Sequence, residues 1–205
     1  MLAHNDVEDV LVSGARIARI AVFAALIGVF GTTPALPVPG SSVPITAQSM
    51  AVMLTGLMLV PLDAFLAGVV FLALVLVGLP LMPGGFGGVQ ILSSVRGGFA
   101  IGFPFAALAV SLIAGGLRRI PADPHGRAQV VANVGACIIG GVAVLYAVAV
   151  PIGAALGGIP VLTLMRAMGV YIPGDLAKAV VASVVAASAF RAAPFLRPSS
   201  TASRG

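Results

Sequence analysis

Four charged residues, Arg96, Arg166, Asp175 and Lys178, stand in or beside the apolar stretches of a 205-residue chain in which only 8% of residues are charged. Asp175 and Lys178 lie three apart, which puts them on one face of any helix that holds both. A carboxylate there accepts hydrogen bonds from N–H groups, and an ammonium beside it donates to a carbonyl. Arg96 offers a planar fork that matches both oxygens of a carboxylate. It belongs to GGFGGVQILSSVRGGF, Gly84 to Phe99, a stretch with six glycines and this one charge. Glycines admit backbone conformations and close approaches that a Cβ blocks. Loop and charges together make a recognition set for a small anionic or zwitterionic solute, with Gly84–Gly98 expected to close over it and bring Arg96 onto a carboxylate. The chemistry is binding rather than turnover. There is no GxxxxGK[ST] phosphate loop, no HExxH, no Ser/His/Asp set and no carboxylate pair within the spans.

The elements that must position these groups follow from composition. The chain is 60% hydrophobic, with a mean hydropathy of +1.15, whereas soluble domains carry about 25% charged residues. So little polar surface cannot cover a water-facing globule, which makes the lipid bilayer the solvent. The formal net charge is +5, but the cations do not gather into a basic, aromatic-studded face, and nucleic acid is excluded as a partner. The single cysteine, Cys137, rules out an intrachain disulfide and a Cys-based metal cluster and is expected to be a small buried side chain. His4 and His125 are expected to be solvated, and no metal or cofactor is called for.

A membrane-spanning helix needs roughly 20 mostly apolar residues. Six such helices are predicted, over residues 16–30 (starting as early as Val10), 45–60, 63–79, 98–117, 129–150 and 174–191. The apolar tract from Val43 to Leu79 is too long for one span, and Pro61-Leu62-Asp63 supplies the turn that divides it. Residues 159–172 are half a span long and interrupted by Arg166, and read as an interfacial or re-entrant piece. The fold class is therefore an all-α integral membrane protein, with residues 1–12 as an N-terminal segment, 13–193 as the six-helix domain and 194–205 as a disordered tail. The side of the termini collects Arg16, Arg19, Arg118, Arg119, Arg127, Arg191, Arg197 and Arg204, and the opposite side keeps Arg96, Arg166 and Lys178. Positive charge marks the cytoplasmic side, so both termini are expected there, in the cell membrane. The long Gly- and Pro-rich connections 31–42, 84–97 and 153–173 then all face outward, where a binding site tends to be built. In the first helix Ala21 and Ala25 are four apart, with Ala18 and Gly28 near the same stripe, a spacing that lets another helix approach closely.

PGSSVPITAQSM, GLPLMPGGFGG followed by RGGFAIGFP, and YIPGDLAKA occur in order along the chain. Over about residues 15–192 these segments resemble the BioY family, the biotin-specific substrate-binding (S) components of energy-coupling factor (ECF) transporters. The resemblance implies a six-helix S-component fold with cytoplasmic termini and capture of biotin from outside. It also implies import driven by a transmembrane T component and a pair of ABC ATPases, with no enzymatic activity in this chain. By the family pattern Arg96 holds the biotin carboxylate and Asp175 and Lys178 meet the ureido ring, while Gln48 and Gly84 are wall or loop residues of the substrate site. Ala21 and Ala25 become the contact for the T component. Many family members carry an amide side chain near the start of the loop after the third helix; this sequence has Met82-Pro83-Gly84 there. Two alternatives stay open: an S component for another small anionic vitamin, and a solitary biotin transporter without ATPase partners.

Overall fold

Apolar runs in a medium without water must satisfy every backbone N–H and C=O internally, and a helix does so within one segment. The chain follows that rule. A computed structural model describes residues 2–34, 45–117 and 127–196, with side chains from Gly14 on and Phe195 excepted. Among the described residues there is no β-strand, and Met82 and Phe86 form an isolated β-bridge. The helices are α1 (Leu2–Thr32), α2 (Gln48–Met58), α3 (Pro61–Val77), α4 (Val95–Leu117), α5 (Arg127–Ala136), α6 (Leu145–Gly157), α7 (Val161–Met168) and α8 (Ile172–Ala192). A π-helical segment, Cys137–Val144, joins α5 to α6 without a break. Among the described residues, four stretches are long and apolar enough to cross a membrane: Gly14–Thr32, Val95–Leu117, Arg127–Gly157 and Val161–Ala192. The other two apolar helices, α2 and α3, are shorter.

Several boundaries differ from those the sequence predicts, each for a local reason. The second helix, expected over 45–60, is only 11 residues long. It ends before the extended pair Leu59-Val60, because Pro61 takes the first-turn position of α3 and disfavours helix in the residue before it. The fifth span continues past Pro151 to Gly157, where Gly158 adopts the left-handed conformation that stops it. Residues 153–157, assigned to a connection, are therefore helical. The fourth helix begins at Val95 rather than Gly98, so Arg96 stands in a helical first turn and not in a loop. The half-span piece is a short helix that passes through a 3₁₀ turn, Gly169–Tyr171, directly into α8. The first helix starts at Leu2, well before Val10. The basic loop 118–126 with Arg118, Arg119 and His125, most of connection 31–42, and the tail from residue 197 with Arg197 and Arg204 lie outside the described residues.

Close helix packing depends on glycine. A Cβ at Gly98 would lie 2.4 Å from the backbone of Ala149 and Gly153, and one at Gly140 would lie 2.5 Å from the Val110 nitrogen. Helix α4 thus runs hard against the π segment and α6, the approach that small residues permit in lipid. One core cluster gathers α1 to α4 around Phe71, Ile27 and Val52, and a second gathers α2, α4 and α8 around Met53, Leu57 and Val110. A third, with Val95, Val150, Leu164, Met168 and Tyr171, seats α7 against α4 and α6 at one end of the bundle.

Two polar ties fix the ends of this assembly. Arg16 Nε donates to Asp63 Oδ1 at 2.6 Å, joining α1 to the first turn of α3. At the other end Gln48 Nε2 donates to the carbonyl oxygens of Ile27 and Leu81, at 3.2 and 3.1 Å. That amide joins the end of α1, the start of α2 and the segment after α3, and it is fully buried.

Candidate functional site

The end of the bundle that carries Gln48 also carries a partly open cleft. Its walls are apolar and aromatic: Ile45, Met82, Pro83, Phe99, Phe103, Leu145, Met168 and Tyr171 among them. Its polar side chains include Gln48, Ser49, Arg96, Tyr146, Asp175 and Lys178. Four residues expected to bind substrate, Arg96, Asp175, Lys178 and Gln48, therefore come together from α2, α4 and α8. Such a cleft, mostly apolar with a few convergent polar groups, is how small-molecule sites are built.

Asp175 and Lys178 share a face in the first turns of α8, as their spacing requires, with Lys178 Nζ 2.8 Å from Asp175 Oδ1. A carboxylate near a helix N-terminus faces the positive end of the helix dipole. Two further side chains complete the group. Ser49 Oγ donates to Asp175 Oδ1 at 3.3 Å and accepts from Lys178 Nζ at 3.1 Å. Tyr146 donates its hydroxyl to Asp175 Oδ2. A carboxylate has about four acceptor sites and an ammonium three donors. Three donors are on Asp175 and two N–H groups of Lys178 are engaged, which leaves each residue about one further bond to make. That pair of vacancies presents one acceptor beside one donor.

Arg96 is built differently. Its Nε is buried without a hydrogen-bond partner, and neither of the ion pairs among the described residues includes it. Its Cζ lies over the Phe86 ring, 4.2 Å from the centroid. Arg96 also lies in the first turn of α4, at the positive end of that helix's dipole. The arrangement favours an anion.

Gly84 does not line the cleft; its neighbours Met82 and Pro83 do. It works one step back, in the turn Met82–Phe86, where Gly84 and Gly85 hold φ of 85° and 77°, conformations that favour glycine. The stretch expected to be a closing loop is folded. Gly88 donates its N–H to the Val75 carbonyl, Val89–Ser93 forms a 3₁₀ turn, and Gln90 turns its amide back onto Gly87 O. Arg166 is on the exposed side of α7 and lines nothing in the cleft. Ala21 and Ala25 are both exposed on α1, with Ala18, whereas Gly28 faces inward, where a Cβ would press on Leu81 at 3.2 Å.

Tyr146, Ser49 and Phe86 are the members that sequence reasoning misses. A signal for the first was present: the chain has only two tyrosines, and both line the cleft. A tyrosine within a membrane span keeps a hydroxyl that must find a partner.

Residues 5–195 match the BioY family. The chain belongs to that family. Among its BioY relatives, the biotin transporter BioY of Rhodobacter capsulatus is 37% identical over 200 residues, covering 93% of this chain and 98% of the relative. The biotin transporter BioY of Rhizobium etli is 35% identical over 176 residues, covering 86% and 93%. Among solved structures, the 2.1 Å crystal structure of the S-component for biotin from an ECF-type ABC transporter superposes with a TM-score of 0.77 at 26% identity, over 87% of this BioY-family chain and 92% of that one.

Proposed function

We propose that this protein is the biotin-capturing S component of an ECF-type importer. The observation that carries the proposal is the cleft itself, with a half-buried cation that has no ion-pair partner among the described residues at one place and a single-vacancy acceptor–donor pair at another. Biotin has a carboxylate tail, an apolar thiophane ring and a ureido group with N–H donors and a C=O acceptor. Arg96 takes the carboxylate by its fork. Asp175 accepts a ureido N–H, Lys178 donates to the ureido oxygen, and the ring lies among Phe99, Phe103 and Leu145. The family relatives, named as biotin transporters, support the same substrate.

The topology belongs to the same reading. The helices α1, α2, α3 and α4, the continuous α5–α6 stretch, and α8 form six crossings, with the 11-residue α2 reaching only about 16 Å and enclosed by its neighbours. The Arg16–Asp63 end is cytoplasmic with both termini, as the distribution of positive charge supports, and the cleft opens outward. Uptake then uses a membrane-embedded T component and an ABC ATPase pair, which dock on the exposed small-residue face of Ala21 and Ala25. Energy from ATP comes from those partners.

One experiment with two readouts tests this. Purified protein should retain radiolabelled biotin by itself, and cells that also hold the T component and ATPases should take it up. Ala25→Trp should keep the retention and abolish the uptake, because a bulky ring holds two helices apart. Failure to retain biotin sinks the substrate assignment; uptake that survives Ala25→Trp, or that persists in cells without any such partners, sinks the docking assignment and favours solitary transport.

A further inference from the structure

A guanidinium cannot lose its proton, so withdrawing even part of it from water without an anion is costly. Arg96 has no carboxylate partner among the described ion pairs and a buried, unpartnered Nε. What it has is the Phe86 ring, 4.2 Å from Cζ. A ring face attracts a cation through its quadrupole, and it does so without accepting an N–H in the way an oxygen does. An Asp or Glu in the same place would stabilise the cation better but would occupy the fork that an incoming carboxylate needs.

The local backbone is arranged around that contact. Phe86 is 44% exposed and does not line the cleft, so burial of its ring in a core does not explain its position. It closes the turn from Met82, paired by the Met82–Phe86 bridge and by a hydrogen bond from Met82 N to Phe86 O at 3.0 Å. Gly84 lies inside that turn, and a Cβ there would sit 3.0 Å from the Phe86 ring edge. Two left-handed glycines and one bridge thus fix an exposed ring over a half-buried cation.

We propose that Phe86 is the positioning residue for Arg96: its ring holds the guanidinium in place before a ligand arrives while leaving the N–H fork open for its carboxylate. The proposal rests on the reading that Arg96 receives the ligand's carboxylate. Phe86 itself touches no ligand atom. Its contribution is to remove the need for the ligand to order Arg96 on arrival, a cost that otherwise reduces affinity.

The test uses the purified full chain and two probes, biotin and biotin amide, which differ only in the charge of the tail. Equilibrium titrations compare the native protein with Phe86→Leu, Phe86→Tyr, Phe86→Glu and Arg96→Ala. Phe86→Leu should weaken biotin by about 3- to 30-fold, the range of a cation–π contact between exposed and desolvated settings, and change the amide by less than about twofold. Phe86→Tyr keeps a ring and should restore native affinity for both. Phe86→Glu places a carboxylate on the fork and should weaken biotin more than Phe86→Leu does, with the amide again spared. Equal losses of biotin and amide in Phe86→Leu would make the ring a structural part of the turn and overturn the proposal. Selective loss of biotin in Arg96→Ala with native behaviour in Phe86→Leu would overturn it too, while leaving the carboxylate reading intact. Equal losses in Arg96→Ala would remove that reading and the proposal with it.

Discussion

The two charged places in the cleft are constructed on opposite plans. Asp175 is almost saturated, receiving Ser49, Tyr146 and Lys178, whereas Arg96 has a ring for company and a buried Nε with no partner. The difference follows from what each must recognise. A neutral polar ring offers hydrogen bonds worth only about 0.5–1.5 kcal/mol each after exchange with water. Small errors of position lose that gain, so its partners have to be held rigidly, and a network of three donors from three helices holds them. A carboxylate brings its own charge. It needs a cation that is available, and rigid pairing of that cation beforehand would compete with it.

This contrast can be broken at its stronger side first. Asp175→Ala removes the acceptor on which three donors converge and leaves the Lys178 ammonium with Ser49 alone. Breaking a buried pair from one side costs roughly 3–5 kcal/mol, and the expected loss is shared by biotin and its amide, read by equilibrium titration of both. A loss confined to one ligand would mean that Asp175 does not serve the group the two have in common. A smaller change sharpens the contrast. Tyr146→Phe keeps the ring and its edge-to-face contact with Phe99, 6.3 Å between centroids, but removes one donor from Asp175. Affinity for both ligands should fall by about 1–2 kcal/mol, the scale of a hydrogen bond to a charged group. An unchanged affinity would show that the network is held well enough by Ser49 and Lys178, and that saturation is not what sets the site.

The sequence carries much of this, unevenly. Apolar run length marks the helical stretches, and the i, i+3 spacing marks the Asp175–Lys178 face, because both are local properties of the chain. The break between α2 and α3 is legible for the same reason: proline restricts the residue before it whatever surrounds it. The break falls at Leu59-Val60, however, and Pro61–Asp63, expected to be the turn, is the first turn of α3. Helix ends are less so. Residues 153–157 read as a connection because Pro151 and the glycines are breakers in water, whereas neighbouring helices in a membrane protein hold them helical. The π segment before Leu145 and Tyr146 has no signature in the residues that form it. Pairings across the fold are invisible altogether. Arg16 and Asp63 are 47 residues apart, and Tyr146 and Asp175 are 29 apart; nothing near any of them names the partner. Arg96 stands out in the sequence by its isolation, but that its helix begins at Val95 and that the Phe86 ring lies against it depend on the folded turn before it.

The claim at the centre is that the open cation reads the ligand's charge and the saturated network reads its neutral ring. Titration of biotin and biotin amide against the native protein and Arg96→Ala tests it most directly. The account predicts that Arg96→Ala weakens biotin by roughly 2–5 kcal/mol, as for loss of one partner of a buried charge pair, and shifts the amide by less than about 0.5 kcal/mol. Equal weakening of the acid and the amide would contradict it, since a residue that reads charge cannot lose as much to a ligand that has none.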